Sequence, residues 1–236
     1  MNFTFDHYTI QARLLPMFVL LLPVGLLLLV WFPATSIWMG VLETIGVPTI
    51  LTALFSQLGR DLGKKKELAL FEKWGGMPTD RILSASSSFL DHSTLARYRT
   101  KLSSLIPDIH FLDEAQELAA PASAVQVFRT CTNFLREKTR DRERFPLVFA
   151  ENINYGFRRN LWAMKPAGLL ISALATVVSV LPIFIAPSGV SYPVLVVAIG
   201  LNICLFVFWI LRIKRDWVRM PAEEYARQLF AACENL

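Results

Sequence analysis

Long apolar runs alternate along this chain with stretches of mixed charge. Leu14 to Phe32 (LLPMFVLLLPVGLLLLVWF) contains no charged residue, and about 20 residues at roughly 1.5 Å rise per residue cross a hydrocarbon core of roughly 30 Å. Ile37 to Leu58 follows with one ionisable side chain, Glu43, whereas Ala167 to Ala186 and Val194 to Leu211 have none. The pattern predicts four membrane-spanning helices, at about 14–32, 37–58, 167–186 and 194–211, and hence an all-α integral membrane protein. The first run is longer than the apolar core of a signal peptide, only Arg13 precedes it closely, and no A-x-A site follows, so it is read as a retained helix.

Residues 60–165 are too many for a loop and lack the alternation of strands, which predicts a mostly helical insert. Lys64 to Lys73 should continue the second span and stop at Gly75-Gly76, with Pro78 just beyond. Leu95, Tyr98, Leu102 and Leu105 recur at helical spacing, with Asp91 or Ser93 as cap and Pro107 as terminator. Val127, Phe128, Cys131, Phe134 and Leu135 make another apolar face, and the alternating charges of REKTRDRER (Arg136 to Arg144) predict a solvated helix surface after it. At the C-terminus, Pro221 should sit in the first turn of an amphipathic helix whose stripe is Tyr225, Leu229 and Cys233. This helix should dock onto the insert or the membrane face.

Charge adds orientation. The turns PATS (33–36) and PSGVSYP (187–193) carry none, whereas Arg60 and Lys64 to Lys66, Arg158, Arg159 and Lys165, and Arg212, Lys214, Arg215 and Arg219 flank the other span ends. Lysine and arginine are retained on the cytoplasmic side, so both termini and the insert should be cytoplasmic. Trp31, Trp38 and Tyr192 at the outer ends and Trp162 and Trp217 at the inner ends fit interfacial belts. The organisation that follows is a transmembrane hairpin (1–59), a cytosolic helical insert ending in an amphipathic coupling helix (60–165), a second hairpin (166–212) and a cytosolic C-terminal amphipathic helix (213–236). An apolar share of 54% and a mean hydropathy of +0.44 agree with this class. The net charge of +5 is mostly the same cytoplasmic bias, which makes nucleic acid an improbable partner. Cys131, Cys204 and Cys233 lack metal-ligand spacing and should be free thiols.

The segment ENINYGFRRNLW (151–162) puts polar residues immediately before the third span. On a helix, Phe149, Ile153, Phe157 and Leu161 form an apolar ridge, and Asn152, Gly156 and Asn160 form a polar one beside it. Anchoring and helix packing is one reading of it. The other is a site for a small anionic signal or lipid headgroup, with Asn152, Tyr155, Gly156, Arg158, Arg159 and Asn160 as coupling or ligand residues. Small residues recur every four positions at Gly40, Thr44, Pro48, Thr52 and Ser56 and at Gly168, Ser172 and Thr176, as close helix packing requires. A carboxyl in hydrocarbon is costly unless protonated, paired or facing water, so Glu43 should face the bundle interior, with Asn202 as polar partner. Its role is open between lining a pore or relaying a proton and a protonated structural contact; Glu43, Thr44, Pro48, Thr52 and Asn202 are the pore or gating candidates.

No phosphate-binding glycine loop, H-E-x-x-H, paired CxxC or nucleophile elbow occurs, and His7, His92 and His110 are isolated; nothing in the sequence supports an enzyme, a cofactor or a metal. Ser84 to Ser88 (SASSS) is read as flexible polar chain.

FEKWGGMPTDRIL (71–83) with FAENINYGFRRNLWAMKP (149–166) resembles a family of small, poorly characterised bacterial inner-membrane proteins with two helical hairpins around a cytosolic helical insert. The layout is also similar to four-helix membrane effectors of anti-phage defence systems, which implies a protein that disrupts the inner membrane when a cytosolic partner signals. The expectation is therefore a homo-oligomeric inner-membrane protein that changes bilayer permeability in response to a cytosolic protein or small signal molecule. A non-conducting anchor that recruits a cytosolic partner and a small transporter are the rival readings.

Overall fold

The computed structural model describes residues 7–31, 46–185 and 191–236, with side chains from residue 57 onward in the second stretch. A π-helical turn, Thr9–Leu14, leads into α1 (Leu15–Trp31). Then come α2 (Gly46–Trp74), the single turn α3 (Pro78–Arg81), α4 (His92–Leu105), α5 (Glu114–Ala119) and α6 (Pro121–Lys138). The long α7 (Pro146–Ile185), α8 (Tyr192–Leu211), α9 (Arg215–Ala231) and a 3-10 turn, Ala232–Asn235, complete the chain. No strand occurs among the described residues. Among the described residues, three helices are long and apolar enough to cross a membrane: Thr9–Trp31, Pro146–Ile185 and Tyr192–Leu211. Residues 37–45 of the predicted span 37–58 lie outside the described residues, and 46–58 form the start of α2.

The chain divides into two compact units, Met1–Glu67 with Gly156–Trp217, and Leu68–Tyr155 with Val218–Leu236. In the first, Met17, Leu20, Leu161, Met164, Trp209 and Ile213 form one buried cluster, and Val30, Leu195 and Ala198 form another further along α1 and α8. Gly168 is what admits Trp209: a Cβ at 168 would overlap the indole, which is completely buried. The last carbonyls of α8 have no partners within the helix, and Lys165 Nζ takes two groups there, Ile210 O at 3.2 Å and Ile213 O at 2.7 Å.

In the second unit, α2 ends as its glycines predict. Gly75 has φ +75° and Gly76 φ +122°; Gly76 N–H reaches Phe71 O (2.8 Å) and Gly75 N–H reaches Glu72 O (3.4 Å), the paired bonds of a Schellman ending. Arg81 Nη1 then donates to Trp74 O at 2.5 Å. Of the two candidate caps for α4, Asp91 is the one used, accepting from Thr94 N at 2.9 Å, and Asp113 with Gln116 forms a capping box for α5. The core gathers Leu95, Tyr98 and Leu102 from α4, Phe128, Cys131 and Leu135 from α6, and Ala226, Leu229, Phe230 and Cys233 from the chain's end. The C-terminal amphipathic segment is thus part of the insert's own core.

Two local expectations differ from what the structure contains. The charged run Arg136 to Arg144 leaves the helix after Lys138: Thr139 bonds back to Leu135 O through both N and Oγ1 (2.8 Å each), and Asp141 Oδ1 then accepts from Glu143 N and Arg144 N in a turn. Pro221 lies inside α9, which begins six residues earlier, at Arg215, and not in its first turn. A proline here deprives Trp217 O of its helical donor, and Arg158 Nη1 supplies one instead at 3.0 Å.

Candidate functional site

The polar segment before the third apolar run is densely bonded to the other described residues of the first unit. Pro16 has no N–H to give Ala12 O in an α register, and the chain here is π-helical, with Leu15 N–H bonding Ile10 O. Asn160, 1% exposed, donates Nδ2 to Ala12 O at 2.7 Å. Its Oδ1 accepts from Arg159 Nε (3.4 Å) and Nη2 (3.3 Å), while Arg159 Nη1 pairs with Glu67 Oε1 at 2.9 Å. Gly63 lies against this group, and a Cβ there would overlap Asn160 Oδ1. Gly156 plays the matching part on the preceding turn, where a Cβ would stand 3.1 Å from Ala12 Cβ and 3.2 Å from Tyr8 Oη. A second proline, Pro166, lies inside α7, and Lys66 Nζ donates to Ala163 O in the turn before it at 2.9 Å. Arg158 and Arg212 both stack on the Trp217 ring, at 5.0 and 5.6 Å from its centroid.

Of the coupling and ligand candidates, Gly156, Arg158, Arg159 and Asn160 are therefore brought together in one unit and tied to the chain itself. A buried arginine with a carboxylate and an amide is a structural arrangement first, because removing one member leaves the others charged or polar without water. Asn152 and Tyr155 are half-buried and belong to the second unit.

Among the pore and packing candidates, Asn202 is completely buried and donates to Ser179 Oγ at 3.3 Å, while its Oδ1 is buried without a partner. Ser172 is also buried; it and Thr176 bond back to Gly168 O and Ser172 O within α7. Gly40, Glu43 and Thr44 lie outside the described residues, as do the side chains of Pro48, Thr52 and Ser56.

The second unit holds a cleft of about 250 Å³, lined on one wall by Asp80, Arg81, Ser84 and Ser86 and on the other by apolar residues of α5 and α6, including Leu118 and Phe128. Its frame is a buried ion pair that sequence reading missed. Glu117, 8% exposed, accepts from Ser84 Oγ (2.8 Å), Ala85 N (3.0 Å) and Arg99 Nη2 (2.5 Å). Arg99 also donates to Leu83 O and Leu112 O and stacks on Phe111. The serine run is thus a bonded wall. Asp80 pairs with Arg129 at 2.9 Å. Burial pushes the thiols of Cys131 and Cys233 up, to about 12 and about 11, and also raises Tyr98. Bonds donated by Ser93 and Thr94 hold the Asp91 carboxyl well below the usual carboxylate range. In comparisons with protein families, curated proteins and solved structures, nothing matches this chain.

Proposed function

We propose that this chain is a multi-pass protein of the bacterial inner membrane that holds a helical binding domain at the cytoplasmic face, with four spans in two hairpins and both termini cytoplasmic. The observation that carries the reading is the use made of residues 156–165: Arg158, Asn160 and Lys165 hold backbone carbonyls at helix breaks and ends, and Arg159 is in a buried ion pair. Such a segment fixes the ends of apolar helices. The domain's cleft between its serine wall and α5–α6 is the natural place for a cytosolic partner or small signal.

A second reading, an oligomeric effector that alters permeability as in the membrane effectors of anti-phage defence that the layout is similar to, is favoured by one observation. Asn202 keeps an unpartnered carbonyl oxygen inside the apolar helices, where polar groups mark pathways or helix contacts. Carbonate extraction and membrane potential, measured in cells expressing the full chain, separate the two. An unextractable protein and a steady potential are expected. Depolarisation that Glu43→Gln abolishes would replace the anchor with the effector, and release by carbonate would sink both.

A further inference from the structure

The positive charge of this chain is not spread evenly. Residues 1–67 and 156–217 hold eleven Lys and Arg against five Asp and Glu, whereas the second unit holds thirteen against fourteen. The surplus of the first unit exceeds the net charge of the whole molecule.

Three basic stretches of that unit meet at one level. Lys66 bonds Ala163 O, Gly63 lies against Asn160, and Lys165 bonds Ile213 O, so the 63–66 turn of α2 and the end of α8 both flank the same turns of α7. The inner cations are occupied with carbonyls, Glu67 or Trp217. Around them Lys64, Lys65, Lys214 and Arg215 are exposed and make no ion pair among the described residues. Exposed leucines stand directly beside this layer: Leu58 and Leu62 precede the lysine pair, and Leu211 precedes Arg212.

We infer that this end of the first unit is a binding surface for anionic phospholipids, with Lys64, Lys65, Lys214 and Arg215 on the headgroup phosphates and the neighbouring leucines against acyl chains. The inference rests on the membrane reading above. Phosphate attracts the cations whatever carries it, but only a lipid also covers the leucines; a nucleic acid strand would leave them in water. The arrangement is also pre-formed, because Lys66, Arg158, Arg159 and Lys165 are already bonded among the helices that present the exposed cations.

The test uses the full chain reconstituted in nanodiscs of phosphatidylcholine mixed with phosphatidylglycerol or cardiolipin, followed by native mass spectrometry of the lipids kept through delipidation. The wild type should retain anionic over zwitterionic lipid by about tenfold or more, and a Lys64→Gln, Lys65→Gln, Lys214→Gln, Arg215→Gln variant should lose that preference while keeping its thermal midpoint. Equal retention of both lipid types, or a preference that survives in the variant, overturns the inference and leaves the membrane reading standing. A chain that enters no nanodisc overturns both. Duplex DNA bound by the detergent-solubilised wild type but not by the variant, without lipid preference, would assign the surface to nucleic acid instead.

Discussion

Replacing Arg99 with methionine keeps an unbranched apolar stem and removes the guanidinium and its charge from a place where little water reaches. Arg99 is 17% and Glu117 8% exposed. The substitution leaves the Glu117 carboxylate with Ser84 Oγ and Ala85 N as donors, and strips Leu83 O and Leu112 O of theirs. Breaking a buried pair from one side costs about 3–5 kcal/mol, more than an exposed pair would by several-fold. Hydrogen exchange of the α4 amides in the full chain reads this directly, since these amides report opening of the insert's core. At about 1.4 kcal/mol per tenfold, exchange should accelerate by about a hundredfold or more. Adding Glu117→Leu to Arg99→Met removes the stranded charge, and the double variant should regain at least about 1 kcal/mol over the sum of the single changes. A less than fivefold acceleration in Arg99→Met, or strict additivity in the double variant, would refute the claim that this pair frames the cleft.

The other consequences can be read by thermal unfolding of the detergent-solubilised chain unless stated. Gly63→Ala gains helix propensity of about 1 kcal/mol but pushes a methyl into Asn160, so it should destabilise by about 1–3 kcal/mol net; a raised midpoint would show that the close contact is absent. Gly168→Leu collides with the Trp209 indole and should lower the midpoint strongly, whereas Gly200→Ala, with nothing within 4 Å of its Cβ, keeps the propensity gain and should not lower it; a midpoint that Gly168→Leu leaves unchanged would deny the Gly168–Trp209 packing. Folding holds the Cys131 and Cys233 thiols protonated to about pH 12 and 11, above their ordinary value of 9.0, so the folded insert binds more protons than the unfolded chain above pH 9 and its stability should fall from there to pH 11. Hydrogen exchange corrected for intrinsic rate measures this, and a Cys131→Ala, Cys233→Ala variant should flatten the slope. Pro221→Ala restores an N–H to Trp217 O, so the loss of about 1.5–3 kcal/mol expected for Arg158→Met should shrink when the two are combined; an undiminished loss would mean Arg158 acts through its ring contact alone.

Features encoded within a few neighbouring residues were readable from the chain alone. The apolar blocks at 14–32, 167–186 and 194–211 correspond to helices at 15–31, 146–185 and 192–211, because an uninterrupted apolar run needs no partner to declare itself. Gly75-Gly76 and Asp91 act through bonds to residues three to five positions away, and these too were foreseeable. What the sequence concealed depends on residues far apart. Arg99 and Glu117 follow no period and meet only because α4 and α5 fold back with the serine turn between them. Pro221 was placed by the usual preference for first helical turns, yet it lies inside α9, where the carbonyl it strands, Trp217 O, takes its donor from Arg158, 59 residues from Trp217 in sequence. The polar ridge at Gly156 and Asn160 was visible as a ridge, but its neighbours at Tyr8, Ala12 and Gly63 were not.

The cost of prolines explains why so much polarity gathers beside the third apolar helix. A proline within or just before a long helix removes a backbone donor, and near a low-dielectric region the stranded carbonyl cannot turn to water for a replacement. Pro16 and Pro221 strand Ala12 O and Trp217 O, which Asn160 and Arg158 reach, and Lys66 reaches Ala163 O, the carbonyl next to the one that Pro166 strands. Cations suit the task because their donors are strong and their long stems cross apolar surface on the way. Further basic residues of the same stretches, Lys64, Lys65, Lys214 and Arg215, stand outward. The same stretches thus carry two layers: an inner set bonded to backbone carbonyls, Glu67 or Trp217, and an outer set exposed around it.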